Sequence, residues 1–534
     1  MPHIIRTKDG AATCERSFGK QVRGDSPGVV VAFTHRGEVV HRGYYGMADI
    51  AQGVPLDSRS VIRIGSQTKQ FTVLLALMLE AEGKLSMEHE IQRYLPWLPK
   101  FERPVTLLHL ASNTSGMRDF LEALTYSGAP ITSQSTREFT CRVIARQTEL
   151  NFMPGEALIY CNTGFFLLSE IVEQVANRSF NELLGARICG PLGMADSRLM
   201  IRDSAILPRL AGHHTRDAEG NWSRASWGID LGGEGGMVST LDDMLIWQAN
   251  LANPRIGTAA MWDRMKAPVV FANGTTGLYG LGLVSAEYRG LRAIGHGGGV
   301  AGGRSDSQYY PAAEFGIVIL GNHDELAPFS LARRIADACL GDALQPPRRA
   351  EDLAPLTDRI GMYREAGGDD LFELRMKDGE PAFGGGAGTI AIDRIAPNMF
   401  MPERGVVQYV LSPTRDGAID VAWCGHLRTY RRLSAELPVA STAIAGCYAH
   451  RGLGMHATIA EEGGDGLVMR ITSSFGVMTM VLTRADHDLY LGRSGPAMPS
   501  PPLGKDWLYT VKVDERGILL DSDRTKHLRL MRVQ

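Results

Sequence analysis

With 534 residues, 44 % of them hydrophobic and 22 % charged, the chain is longer than one ordinary core, which stops growing at about 250–300 residues, and its composition excludes a disordered or fibrous protein. A formal net charge of −3 offers no positive field to gather phosphates, which argues against a nucleic-acid partner. Seven cysteines, odd in number, scattered and without a Cys-x-x-Cys pair, argue against a disulfide framework or a zinc centre and read as reduced core residues.

Taken from the start, Met1-Pro2-His3-Ile4-Ile5-Arg6 lacks the apolar stretch of a signal peptide, and nowhere do eighteen uncharged apolar residues run together. A cytoplasmic location without a membrane segment is therefore expected. Residues Gly28 to Gly46 carry two β-branched runs around Arg36-Gly37, the pattern of a hairpin. From Gln70 to Glu82 the period changes: Phe71, Leu74, Leu75, Met78 and Leu79 recur at helical spacing before Gly83, so Ser66 and Lys69 open a buried helix. Further helices are expected at Phe165–Ala176, Leu241–Ala249 and Leu331–Leu340, with a buried strand at Glu314–Leu320.

This mixture describes an α+β domain over residues 1–345. The aperiodic run from Gly341 to Arg349, with its Pro346-Pro347 pair, marks a boundary. Beyond it, short β-rich runs at Val406–Leu411, Leu467–Ile471 and Met478–Thr483 alternate with Gly, Asp and Pro clusters. A second break at Glu436-Leu437-Pro438 divides this region into two small all-β units, 350–436 and 439–534. The run Gly384–Gly388 lacks the strand-to-helix setting of a phosphate loop.

Three segments could carry chemistry. In Ser66-Gln67-Thr68-Lys69, positions i and i+3 share a helix face, so the hydroxyl and the amine can meet, and a lysine with a lowered pKa can take the proton of a serine nucleophile. Alone, so short a motif is usually a solvated helix start. The second segment, Tyr160-Cys161-Asn162, offers a phenol that can surrender its proton beside an ammonium, and a carboxamide able to hold both a lysine and a substrate carbonyl. The third is His296-Gly297-Gly298-Gly299, with Arg304 following. Its glycines, Gly298 among them, let a strand edge approach an extended substrate, and Arg304 is a candidate anchor for a carboxylate or an entering loop.

In this order and at these distances the three segments resemble the serine β-lactamase and DD-peptidase superfamily, in its class C and esterase-like branch. Stretches Leu107–Leu110 with Ser115–Met117, Gly190–Met194 and Gly235–Thr240 are also similar to it. Within the superfamily, Ser115–Asp119, Tyr160–Asn162, a histidine at 296 and the β-rich tail resemble the bacterial D-stereospecific aminopeptidases. The resemblance implies a β-lactamase/DD-peptidase-like catalytic domain, an antiparallel sheet with helices, followed by two small antiparallel β-barrels. It implies an acyl-enzyme serine hydrolase that releases N-terminal D-amino acids from peptides and amides, with Ser66, Lys69 and Tyr160 catalytic and Asn162, His296, Gly298 and Arg304 binding substrate. No cofactor and no metal are implied; the expected partners are small peptides or amino-acid amides, with β-lactams as candidate inhibitors, in a homodimer.

A loop of the last domain is implied to reach the active site. Its counterpart here is Gly492–Pro502, with Pro496, Ala497 and Met498 as candidate substrate contacts, and it holds no carboxylate for a substrate amine. Asp486, Asp488 or Asp506 are the nearby substitutes. A neutral histidine at 296, in place of a lysine, suits an exopeptidase acting at the N-terminus better than an enzyme gripping a carboxylate. The competing readings are an esterase or β-lactamase-like hydrolase of the same fold and a non-catalytic peptide-binding protein.

Overall fold

The computed structural model describes residues 5–19, 25–217, 219–347, 350–385, 388–402, 409–434, 444–462, 466–494 and 508–533. The β-branched runs near the start and near residue 300 pair into one antiparallel sheet, built from β1 (Val29–His35), β2 (Glu38–Tyr45), β3 (Val284–Tyr288), β4 (Leu291–Val300), β5 (Gly303–Tyr310) and β6 (Phe315–Gly321) in the order β3-β4-β5-β6-β1-β2. The expected hairpin is β1–β2. Arg36 and Gly37 turn it with φ of 53° and 80°, the left-handed pair that a two-residue turn between twisted strands requires. Because both faces of the sheet are covered, alternate residues enter different cores: Val29, Val31 and Phe33 pack with one set of apolar side chains, Val30 and Ala32 with the other.

Helices α1 (Thr7–Phe18) and α6 (Pro328–Leu340) lie on the first face. On the second lie α2 (Thr68–Ala81), α3 (Phe120–Tyr126), α4 (Asn162–Ala176) and α5 (Leu241–Ala252). Every residue of α2 from Thr68 to Leu77 is buried, so it is a core helix rather than a surface helix with one apolar stripe. Its polar side chains are tied into the core: Gln70 Oε1 accepts from Trp247 Nε1 at 3.0 Å and Thr72 donates to the Gly233 carbonyl at 2.7 Å. Expected helix starts shift where non-local chemistry intervenes. Helix α4 begins at Asn162 rather than Phe165, because its first amide donates at 2.7 Å to Asp119 Oδ2, a cap supplied by a distant segment.

The β-rich tail forms two closed eight-stranded antiparallel barrels. The first runs from β7 (Gly361–Glu365) to β14 (His426–Arg432) and the second from β15 (Gly446–His450) to β22 (Leu528–Val533), the terminal strands pairing to close each. Gly384–Gly385 belong to a strand-to-strand hairpin, not to a phosphate loop. No helix among the described residues is long and apolar enough to cross a membrane.

The second barrel shares the larger apolar core of the N-terminal region and is pinned to it by the turn between β21 (Gly517–Asp521) and β22. There Asn151 Nδ2 donates to the Arg524 carbonyl at 2.9 Å and its Oδ1 accepts from Lys526 N at 2.8 Å. The buried carboxylate of Glu122, on α3, accepts from the hydroxyls of Ser522 and Thr525 at 2.5 and 2.9 Å. Burial raises its pKa to about 7. A carboxyl raised above its unfolded value favours the native state most below that unfolded value, near 4.5, and loses this advantage as pH rises through about 7. Glu122→Gln, which mimics the protonated acid, is therefore expected to match the native chain in thermal stability at pH 5 and to exceed it at pH 8, by at most about 3 kcal/mol. Melting curves at the two pH values check this; equal curves at both would contradict it.

Candidate active site

Ser66 sits in the 3-10 turn Gly65–Gln67 that leads directly into α2. This turn is pressed against β4. A Cβ added at Gly65, whose φ is +55°, would lie 2.6 Å from Gly299 N, and one at Gly298 would lie 1.8 Å from the Ile64 carbonyl. Glycine at both positions is what allows the nucleophile's turn and the strand to touch. Side chains then lock the junction: Gln67 Nε2 donates to Ser305 Oγ at 2.7 Å, and Ser305 Oγ to the Ile64 carbonyl at 2.8 Å.

One turn on, Lys69 is fully buried. Its Nζ donates to Ser66 Oγ at 3.0 Å, to Asn162 Oδ1 at 2.8 Å and to the Glu234 carbonyl. Burial pulls the Lys69 pKa down, while the acids Glu234 and Asp119 oppose the shift and the Arg524 charge reinforces it. The Glu234 carboxyl, taking hydrogen bonds from Gly232 N, is shifted upward by the same burial. A lysine held this way, with its hydrogen-bond capacity satisfied and its charge disfavoured, is poised to accept a proton from Ser66.

Tyr160 lines the same cavity as Ser66, and its ring lies 4.9 Å from Lys69 Nζ. Among the charges around it, that of Arg524 eases its deprotonation. Burial dominates and pushes the phenol well above its ordinary value, so it stays neutral. A neutral hydroxyl can still accept one proton while donating another. His296 is more deeply buried; its Nε2 meets Tyr279 OH at 3.0 Å, its Nδ1 faces the Gly297 carbonyl at 2.5 Å, and burial lowers its pKa to about 3. It is a neutral imidazole held by a tyrosine, and it cannot act as a permanent cation for a carboxylate.

Ser66, Tyr160, Asn162, His296, Gly298 and Arg304 all line one cavity of about 600 Å³, so segments read from three places in the sequence meet around a single space. Asn162 is committed on both sides, to Lys69 through Oδ1 and to Asp119 Oδ2 through Nδ2 at 2.9 Å. Arg304 spends Nη1 on the Val300 and Gly303 carbonyls at 2.7 and 3.0 Å. Along β4, residues Leu291–Gly295 pair with β3 while His296–Val300 continue beyond that partner. This stretch of edge beside Ser66 is where an extended chain can align.

Pro496, Ala497, Met498 and Asp506 lie outside the described residues. Asp486 and Asp488 are not at the site: both carboxylates hold Arg364 of the first barrel, at 2.6 and 2.7 Å. Three groups escaped the sequence reading as site residues. Asp119 stood in the motif Ser115–Asp119 without a role, Glu234 sits between glycines, and Arg524 had no local signal at all. Arg524 nevertheless lines the cavity, with its guanidinium 5.0 Å from the Tyr160 ring centre.

Residues 11–341 match the Beta-lactamase family. A D-aminopeptidase of Gluconobacter oxydans is 30 % identical over 343 residues, which span 64 % of this chain and 64 % of that relative's own length. Among solved structures, an octameric penicillin-binding protein homologue from Pyrococcus abyssi superposes with a TM-score of 0.56 at 20 % identity, covering 94 % of this chain and 99 % of that one. A D-stereospecific amidohydrolase from Streptomyces gives 0.53 at 21 % identity, over 63 % of this chain and 99 % of that one. At these identities the two structures establish likeness of fold alone.

Proposed function

The chain belongs to the Beta-lactamase family, and from that premise we propose that it is a serine hydrolase releasing N-terminal D-amino acids from small peptides and amides through an acyl-enzyme. The observation that carries the chemistry is the contact of Lys69 Nζ with Ser66 Oγ at 3.0 Å inside a buried, hydrogen-bonded setting. The likeness to a D-aminopeptidase supports the substrate class.

In this reading Ser66 Oγ attacks the carbonyl carbon while its proton passes to neutral Lys69, with the Tyr160 hydroxyl as relay. The oxyanion is held by the Ser66 amide and by the Gly299 amide, which abuts the same turn. Collapse breaks the C–N bond, the leaving amine takes the proton back from Lys69 through Tyr160, and water then attacks the ester carbonyl to release the amino acid and restore Ser66. Glu234, in the cavity wall beside Lys69, is the acidic side chain nearest the position of a substrate α-ammonium, whose charge would favour the ionised carboxylate that burial alone disfavours. Neutral His296 disfavours substrates gripped by a carboxylate, so β-lactams are expected to acylate Ser66 slowly rather than to be the preferred substrates. The free cysteines fit a reducing, cytoplasmic setting; a homodimer goes with the family likeness.

D-alanine p-nitroanilide, its L-enantiomer, its N-acetyl derivative, p-nitrophenyl acetate and a chromogenic cephalosporin test this together. The expected result is turnover of the free D-anilide, with the L and N-acetylated forms at least about tenfold slower, the scale of one misplaced contact. Turnover of the ester or the cephalosporin alone would overturn the aminopeptidase reading.

A further inference from the structure

The matched family region ends at residue 341, yet the cavity it encloses is completed by a side chain nearly two hundred positions later. Arg524 stands at the turn between β21 and β22, and its Nη1 donates to Asp119 Oδ2 at 3.4 Å. The Arg524 side chain is 15 % exposed and the Asp119 side chain 0 %. That same Asp119 oxygen accepts from the amide and the carboxamide of Asn162 at 2.7 and 2.9 Å, and the other oxygen caps α3 through Leu121 N at 2.9 Å. Asn162 in turn receives Lys69 Nζ. An unbroken polar chain therefore runs from the second barrel to the amine that touches Ser66, and the far side of Arg524 rests near the Tyr160 ring.

We propose that Arg524 is a positioning residue for the proton-transfer groups of this site: it fixes Asp119, which fixes Asn162, which fixes Lys69, so that the second barrel completes the catalytic machinery of the first domain. The inference rests on the reading of Lys69 as the base. The charged and titratable groups facing Arg524 are Asp119 at the start of α3 and Glu122 on it, Tyr160 and Lys69 from the site, and Asp523 on its own turn. The electrostatics agree with the geometry, since the guanidinium charge disfavours a proton on Lys69 and one on Tyr160.

The test uses the full chain and a readout independent of the natural substrate: the second-order rate at which a fluorophosphonate probe labels Ser66, followed by mass spectrometry between pH 5 and 10, with turnover of D-alanine p-nitroanilide alongside. Arg524→Lys keeps the charge. The double variant Asp119→Asn/Arg524→Met leaves no unpaired buried charge and guards against misfolding. For the double variant, labelling at pH 7 is expected to fall about tenfold with the acidic limb in place or moved down, because the Asp119 charge that raises the Lys69 pKa and the Arg524 charge that lowers it are removed together and the former is the larger; Arg524→Lys is expected to slow labelling with its limb nearly in place. Turnover should lose kcat with KM within about threefold. Native-like labelling rates in both variants would overturn the inference, as would a rise in KM alone with native labelling, which would make Arg524 a substrate-binding group. Labelling without anilide turnover in the native chain would sink the aminopeptidase reading while leaving this inference standing, and absence of Ser66 labelling in the native chain would overturn both.

Discussion

Ser66→Ala is expected to lower turnover of D-alanine p-nitroanilide by about 10⁴-fold or more while the melting temperature stays within about 2 °C of the native chain. The loss follows because covalent catalysis has no substitute nucleophile in the turn. Gly65 and Gln67 flank Ser66, and Gln67 is already bound to Ser305. Stability is spared because the Ser66 hydroxyl faces the cavity, and Lys69 keeps two further acceptors, Asn162 Oδ1 and the Glu234 carbonyl. A residual rate above about one hundredth of native would place the nucleophile elsewhere.

Lys69→Met is expected to lose a comparable factor, and the double variant Ser66→Ala/Lys69→Met no more than either alone, since nucleophile and base act as one unit. Additive losses would mean that Lys69 supports the fold rather than the reaction. The native pH profile carries a matching sign. A base must be neutral to act, and burial holds Lys69 below the ordinary lysine range. The rate of the native chain should therefore climb with pH through that lowered value and reach its plateau well before pH 10, near which an exposed lysine first loses its proton. A rate still rising steeply above pH 10 would contradict a buried, depressed lysine.

Local pattern made part of this legible beforehand. The Arg36-Gly37 turn and the apolar run after Gln70 each carry a physical instruction that acts over a few residues, and both elements stand as read. Ser66 and Lys69 meet because i and i+3 share a helix face, which needs no tertiary knowledge. Their meeting with Asn162 and His296 was legible only through the resemblance of ordered motifs. The rest depends on tertiary contact. The cap of α4 comes from Asp119, and the ion pair between Arg524 and Asp119 joins residues 405 positions apart, a distance across which neither periodicity nor spacing carries information. Desolvation, the largest influence on the Tyr160 phenol, is likewise a tertiary property that local spacing does not carry.

The most direct measurement traps the intermediate itself. Native enzyme turning over a D-amino-acid ester or anilide is quenched in acid within milliseconds, digested, and the peptide holding Ser66 weighed. An added D-aminoacyl mass on Ser66, absent from Lys69→Met under the same quench, is the expected result. Turnover with that peptide unmodified at every quench time, or with the acyl group on another residue, would contradict the account.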